Sequence, residues 1–436
     1  MRLRSILLTL VLLMAAGLPA FGQDSLLGRL QDEIRDLARN AGPAVVKVTA
    51  ERELRLPKHL LSRMRAEFPE GYLKKSVIVG TGFLVSESGL ILTTSRMAEG
   101  ADVVNVTLAD GTERKGVVVG SDRFFRIAVV RIGSVEGIKP LALATDAELP
   151  TGSLGLFVGN SLGISTNMSL GIVTGTGRRA SPMDPYDNYT VMNTPILPGD
   201  AGGPVLGPGG KVVGMAVGNF SGGTMQVVTT GTGRNVSIRG LTSLSAGMGI
   251  VVPADDLAFA LKEIEAHGRV REGLLGVSVR DGSLEVTGVR PQTPAAAAGI
   301  TAGDVLVSLE DRPLKSDAEF GFRLRRIAVG IEFSLVVRRG ENSVPLTCGL
   351  EDVVERVARL LDGMHIDGSP TGLVVTKVSD KHEAAGVLPG DVIAIVGGRP
   401  VLTMKHLVDA LAATGDGPIQ LILDRDGKRV EVELTR

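Results

Sequence analysis

From Val77 onward the chain alternates short apolar runs with glycine-rich or Asp-Gly turns. This is the pattern of antiparallel strands punctuated by tight connections. VIVGTGFLV (77–85), GLILTT (89–94), VVNVTLADGTERKGVVVG (103–120) and IAVVRI (127–132) carry it first. Asp110-Gly111 separates two alternating segments and predicts a hairpin. Further runs at Gly155–Val158, Ser169–Thr174, Asn188–Asn193 and Lys211–Val217 continue the pattern, and Met248–Pro253 closes it. Roughly ten to twelve such strands in about 200 residues predict a closed or double β-barrel, because open edges invite mispairing. Helical spacing marks the ends of the region: Ser25–Asn40 reads as an amphipathic helix and Asp255–His267 as the helix that ends it. Ala44–Ala50 is a first strand, Arg52–Lys75 a basic exposed loop, and Asn219–Gly247, rich in Ser, Thr and Gly, a long solvated excursion.

The remainder repeats itself. AAGITAGDVLVSLEDRPL (297–314) aligns without a gap on AAGVLPGDVIAIVGGRPV (384–401), at a constant offset of 87 residues. A period of that length means one small domain present twice. Each copy predicts a strand, a Gly-Asp turn, a strand, an Arg-Pro turn, a helix and a final hairpin. Gly303-Asp304 and Gly390-Asp391 are expected to be turn residues rather than a site.

The 436 residues are enough for two to four domains, and 44 % hydrophobic with 22 % charged residues is ordinary for a globular chain. A net charge of −1 gives no reason to expect nucleic acid or an anionic membrane as partner. At the N-terminus, Arg2 and Arg4, the apolar run Ile6–Gly17 and Ala20-Phe21-Gly22 read as a signal peptide over 1–22. No cysteine follows it, and the apolar run is shorter than the roughly 20 residues a membrane span needs, so stable membrane insertion is not expected. One cysteine, Cys348, rules out an intramolecular disulfide and suits the periplasm or cell envelope of a bacterium. Its apolar flanks predict a packed strand residue. His59, His267, His365, His382 and His406 are scattered without ligand spacing, so neither metal nor cofactor is expected.

Candidate chemistry gathers at Leu197–Val205, LPGDAGGPV. Pro198 fixes φ, and Gly199, Gly202 and Gly203 permit a sharply turned backbone whose amides can converge on one point. The stretch resembles the Gly-Asp/Asn-Ser-Gly-Gly-Pro nucleophile loop of trypsin-like serine proteases, with Ala201 at the serine position. Together with GTGFLVSESGLILTT (80–94), VGSDRFFRIAVVRI (119–132), MGIVVP (248–253) and the two Ala-Gly…Gly-Asp-Val repeats, it is similar to the HtrA/Deg family across nearly the whole mature chain. The resemblance implies a mainly β protein: a trypsin-like double β-barrel followed by two small α+β PDZ domains. The expected divisions are a signal peptide over 1–22, an N-terminal segment over 23–43, a protease-like domain over 44–268, and PDZ domains over 269–352 and 353–436.

The departures lie at the chemistry. Where the family has its general-base histidine this chain has Arg96, and where it has the orienting aspartate, Arg126. A guanidinium stays protonated and alanine offers no nucleophile, so the three side chains make no triad. No Ser–Lys or Cys–His pair stands in its place. On this ground the chain is expected to be a pseudoprotease, not an enzyme. An active endopeptidase with non-standard catalytic residues and a purely structural assembly protein stay open as other readings. The backbone at Gly199, Asp200 and Ala201 is expected to keep an oxyanion-hole-like form. Arg96 and Arg126 are expected to make the cleft cationic, or to have one of them neutralised instead by Asp200, or both to point to solvent.

The resemblance also implies peptide capture by the PDZ copies, in which an extended segment joins a sheet edge and backbone amides hold its C-terminal carboxylate. The loop form x-apolar-Gly-apolar matches Leu274-Leu275-Gly276-Val277, preceded by Gly273. The three apolar side chains are expected to line a pocket for a hydrophobic C-terminal residue. In the second copy the match is Leu361-Asp362-Gly363-Met364, and Asp362 puts negative charge near the expected carboxylate. Binding is therefore expected mainly in the first copy. The implied partners are unfolded proteins or C-terminal peptides, an active paralogue, and copies of the chain itself in a trimer-based assembly. The implied setting is envelope protein quality control, as chaperone, scaffold or regulator.

Overall fold

The computed structural model describes residues 25–53, 75–145, 149–160, 166–180, 184, 186–220, 227–229, 236–238, 247–369, 372–414 and 418–434. The expected signal segment, His59 with its basic loop and most of the Asn219–Gly247 excursion lie outside the described residues. The chain forms two compact units, 1–269 and 270–436.

The first unit opens with α1 (Leu26–Ala41), whose N-terminus is capped by the Ser25 hydroxyl accepting from the Gly28 N–H at 3.0 Å. Strands β1 (Val45–Glu53), β2 (Lys75–Leu84), β3 (Leu90–Thr94), β4 (Val103–Thr107), β5 (Glu113–Asp122) and β6 (Ile127–Arg131) follow. They close into a barrel in the order β1-β2-β3-β6-β5-β4. The Asp110-Gly111 hairpin joins β4 to β5 with Thr107 opposite Glu113. A second closed barrel uses β7 (Leu154–Gly159), β8 (Asn167–Arg178), β9 (Tyr189–Met192), β10 (Pro204–Leu206) and β11 (Val212–Asn219). A short hairpin, β12 (Val227–Thr229) with β13 (Val236–Ile238), precedes the closing strand β14 (Gly249–Pro253). The strand order is β10-β11-β14-β9-β8-β7. Alternation in β4 buries Val104 and Val106 only, whereas β3 is buried throughout and reads accordingly as an unbroken apolar run. Closure satisfies the edge groups that an open sheet of this length would leave bare. Helix α2 (Ala254–His267) buries Leu257, Ala260 and Ile264 and stops at Gly268, which takes the left-handed conformation (φ 72°) and donates to Ile264 O.

In the second unit the repeat becomes two modules of the same order. The first has β15 (Gly273–Leu274), β16 (Val277–Val279), β17 (Val286–Val289), α3 (Pro294–Ala297), β18 (Val305–Leu309), β19 (Arg312–Pro313), α4 (Asp317–Arg325), β20 (Phe333–Arg339) and β21 (Asn342–Cys348). A connector, β22 (Glu351–Asp352) and α5 (Val353–Leu360), leads to the second. That module has β23 (His365–Ser369), β24 (Gly372–Lys377), α6 (Asp380–Ala384), β25 (Val392–Val396), β26 (Arg399–Pro400), α7 (Met404–Ala413), β27 (Ile419–Arg425) and β28 (Lys428–Leu434). Cys348 is a buried residue of β21, as its apolar flanks predict, and burial pushes its thiol up to about 11.

The Gly-Asp pairs are fold residues. The Asp304 carboxylate, fully buried, accepts from the Thr301 N–H at 2.9 Å and from Arg339 through Nε and Nη2, both at 2.8 Å. Arg339 also donates to Gly299 O at 2.8 Å. The second module repeats the cluster with Asp391, Arg425, Leu388 and Gly386. Each arginine thus ties the last hairpin to the Gly-Asp turn. Hydrogen bonding from Arg339 holds the Asp304 carboxyl below its ordinary 3.8. For Asp391 burial works upward, but the bonds from Arg425 outweigh it and the net shift is again downward. A depressed folded-state value stabilises above the ordinary carboxylate range, and that stability vanishes as pH falls through the depressed value. Arg339→Met is expected to cost about 2 kcal/mol at neutral pH. It should also flatten the acid limb of the first module's unfolding curve, followed by denaturant titration between pH 3 and 7. An acid limb as steep as that of the unsubstituted chain would refute the assignment.

Candidate functional site

The loop Leu197–Gly203 joins β9 to β10. Pro198 and Gly199 are the central residues of a turn closed by the Asp200 N–H on Leu197 O at 3.0 Å. Gly199 has φ 92°, the left-handed value a type II turn requires at its third position. The Asp200 carboxylate is fully buried and accepts from the Leu197 N–H (3.1 Å) and Asn167 Nδ2 (3.2 Å). Thr81, on β2 of the other barrel, clamps the loop from outside. Its N–H donates to Ala201 O at 3.0 Å, and its hydroxyl donates to Gly199 O at 2.7 Å while accepting from the Asn160 N–H at 3.0 Å. The N–H groups of Gly199 and Ala201 donate to no acceptor among the described residues.

Position 126 lies beside position 95, since the Ser95 N–H donates to Arg126 O at 3.1 Å. Arg96 follows in a single helical turn, Ser95–Met97, with its side chain exposed and its carbonyl accepting from Arg52. Arg126 has a left-handed backbone (φ 56°) and an Nη2 contact of 2.6 Å to Asp184, a residue only 5 % exposed in its side chain. Its guanidinium also lies over the Tyr189 ring, 5.7 Å from the centroid, and the Tyr189 hydroxyl reaches Asp184 at 3.2 Å. Partial burial opposes its charge, but Tyr189 and Asp184 hold Arg126 more firmly protonated than usual. Burial in turn raises the Tyr189 hydroxyl. Of the alternatives, Arg96 is exposed, as the solvent reading had it, whereas the charge of Arg126 is neutralised by Asp184, not Asp200, because a half-buried guanidinium needs a partner close by. Chemically, the loop offers two backbone N–H groups without an acceptor among the described residues, at Gly199 and Ala201, and a buried Asp200, with no hydroxyl at position 201.

In the second unit, Gly273–Val277 forms one wall of a groove of about 450 Å³ between β16 and α4. Gly276 takes φ 96°. The loop is pinned from behind by the Arg290 N–H on Gly276 O (2.9 Å) and the Ala295 N–H on Leu275 O (2.8 Å). The N–H groups of Leu275 and Gly276 donate to no acceptor among the described residues. Strand β16 pairs with β17 on one side, and its other edge faces the groove. Sequence reasoning missed the opposite wall, Phe320, Gly321 and Leu324 of α4. A glycine inside a helical pattern is the signal that could have found it. No atom lies within 4 Å of where a Gly321 side chain would begin, so its absence widens the groove.

Two details differ from expectation. Leu274 lines the groove, yet its side chain belongs to the hydrophobic core of the second module. Leu361 and Met364 are likewise core residues of that module, at 2 % and 0 % exposure. Between them Asp362 (φ 50°) and Gly363 (φ 87°) turn the chain out of α5, and Asp362 pairs with Lys381 at 3.3 Å on the surface.

Comparison with known proteins agrees with this architecture. A trypsin-like peptidase domain model matches residues 80–215, and a PDZ domain model matches residues 273–350. The probable periplasmic serine endoprotease DegP-like protein of Halomonas elongata is 25 % identical, over 98 % of each chain. Periplasmic serine endoprotease DegP of Escherichia coli (strain K12) is 25 % identical over 81 % of this chain and 78 % of its own. Among solved structures, the HtrA-type protease AlgW, in a substituted form with a decapeptide, superimposes with a TM-score of 0.56 at 25 % identity, over 73 % of this chain and 97 % of that one. The relatives named periplasmic agree with the exported, envelope localisation read from the N-terminal segment. Among the described residues no helix is long and apolar enough to cross a membrane.

These relatives are named serine endoproteases, and that overturns the expectation that the chain is not an enzyme: the comparisons point to a protease. The expectation rested on three side chains, whereas the loop backbone, its glycines and the buried Asp200 are retained around them. Arg96, Arg126 and Ala201 stand as described. Two closed barrels with this loop between β9 and β10, followed by a PDZ module with an open groove, make the chain similar to HtrA-type serine proteases, with a trypsin-like peptidase domain and a PDZ domain.

Proposed function

We propose that this chain captures the C-terminal segments of unfolded proteins in the bacterial envelope through its first PDZ module. The observation that carries the reading is the pair of unpartnered amides at Leu275 and Gly276 beside the open edge of β16. Two such donors at the end of a strand-adding groove suit a terminal carboxylate, while Phe320, Leu324 and Val277 suit an apolar last side chain. Capture of this kind serves protein quality control, as chaperone, scaffold or regulator, within a homo-oligomer built from the barrel unit. The test is anisotropy of a labelled peptide ending in valine, titrated with the mature chain. Amidation of the peptide's C-terminus should weaken binding at least tenfold. Equal affinity for acid and amide would reject the carboxylate assignment.

A second reading, hydrolysis of the captured segment, is favoured by the relatives' names. Position 201 supplies no hydroxyl, so the amides of Gly199 and Ala201 would act as oxyanion-type donors, the Asp200 N–H being held by Leu197 O, with a nucleophile from another residue. Turnover of unfolded casein by the purified chain, persisting after removal of contaminating proteases, supports it; no turnover rejects it.

A further inference from the structure

The two modules share one design but not one state. In the first, Phe320, Gly321 and Leu324 of α4 face an open groove. Their repeat equivalents on α7, Leu407, Val408 and Leu411, are completely buried. They pack in one core with Val353 and Val357 of α5. Helix α5 lies against both α7 and β23, the two elements that would form the second groove. The loop amides are consumed as well. The Gly363 N–H donates to Ala358 O at 2.7 Å and the Met364 N–H to Leu361 O at 3.2 Å, so they cap the helix instead of facing a ligand.

Helix α5 also reaches back to the first module. The strand before it, β22, pairs with β15, setting Gly273 opposite Asp352 and Leu274 opposite Glu351. The Val353 N–H donates to Glu272 O at 2.9 Å. Arg356 donates to Gln292 O at 2.8 Å, one residue before Thr293, the side chain that backs Gly276. Leu274 completes the connection by inserting into the second core.

We propose that the groove of the second module is a receptor for the chain's own amphipathic helix α5, and that this docking holds the first module's carboxylate loop in its peptide-binding shape. A helix of eight residues is not stable alone in water, so α5 exists because the groove receives it. Its N-terminal cap, Asp352, is a residue of β22 and accepts from the Val354 N–H at 2.8 Å. Undocking therefore melts the helix, releases the cap and frees β15. Peptide capture then depends on a module that does not touch the peptide. This proposal rests on the peptide-capture reading of the first module only for its affinity readout.

The test uses the full mature chain with Val357→Asp, which puts a charge into the docked face, and Arg356→Ala, which removes the links to Gln292 O and to the Glu351 carboxylate of β22 while leaving the apolar face intact. Hydrogen–deuterium exchange is read over 353–360 and 272–277, and affinity with the labelled valine-ended peptide. Val357→Asp is expected to speed exchange at least tenfold in both segments and to raise the peptide Kd at least tenfold. Arg356→Ala should raise the Kd severalfold without changing the melting of the second module. Unchanged protection of 353–360 in Val357→Asp overturns the docking. Faster exchange there with 272–277 unchanged, or peptide affinity unchanged in Arg356→Ala, overturns the coupling. If the unsubstituted chain binds no peptide while both segments respond in exchange, the capture reading fails and the helix receptor stands.

Discussion

Gly276→Val is expected to lower affinity for apolar C-terminal peptides at least 100-fold, about 2.7 kcal/mol. Two independent constraints act at this position. Its φ of 96° lies in the left-handed region, where a β-branched residue is a severe outlier. A Cβ built there would also stand 2.3 Å from Thr293 Oγ1 and 2.4 Å from Thr293 Cβ, distances no real contact shows. Relief requires the peptide planes on either side of residue 276 to rotate, and those planes carry the amides assigned to the carboxylate. The rest of the module has no reason to unfold, because the loop's core residue, Leu275, is untouched. Peptide anisotropy with a parallel thermal melt separates the two effects. Affinity within threefold of the unsubstituted chain, with the module folded, would show that the loop is not the receptor.

Gly202→Ala is the counterpart in the first unit and acts on stability. At φ 99° a Cβ would meet the carbonyl oxygen of Thr81 at 2.0 Å, and this oxygen belongs to β2 of the neighbouring barrel. Neither the loop nor the strand can yield alone. Gly202 donates to Ala216 O at 2.7 Å, and Thr81 O is occupied by the Thr93 hydroxyl, also at 2.7 Å. A loss of about 3 kcal/mol is expected, at the upper end for a single substitution. For a unit of this size that corresponds to roughly 6–12 °C in Tm. Calorimetry should show the barrel transition shifted while that of 270–436 stays in place. A barrel transition unmoved by the substitution would mean that the loop adopts another shape.

Much of this was legible from residues alone because the information was local. Alternation and Asp-Gly turns are set by neighbours, so the barrel strands and the hairpin at Asp110-Gly111 emerged at nearly the observed bounds. The duplicated Gly-Asp turns were legible for the same reason, though not their arginine partners on the last hairpin of each module. What sequence could not convey was long-range pairing. Nothing near Arg126 announces that Asp184 will neutralise it. The x-apolar-Gly-apolar pattern treats Leu274 as a pocket residue, but pairing with β22 turns its side chain into another core. Helix α5 was not read from the sequence, although Asp352 caps it and Val353 and Val357 share one buried face. Nor was the groove it fills.

The clamp made by Thr81 carries a consequence for how the molecule matures. Two hydrogen bonds donated by one residue of the first barrel and one accepted by it fix the carbonyls of Gly199 and Ala201 and the start of the segment after β7. During synthesis the first barrel emerges complete, but the loop has not yet been made. The second barrel, in turn, cannot shape that loop without the strand that holds Thr81. The observed shape of the loop is therefore a late product of folding, present only once both barrels have closed on one another. A truncated or half-folded chain cannot display it, so the cleft reports the completion of its own unit.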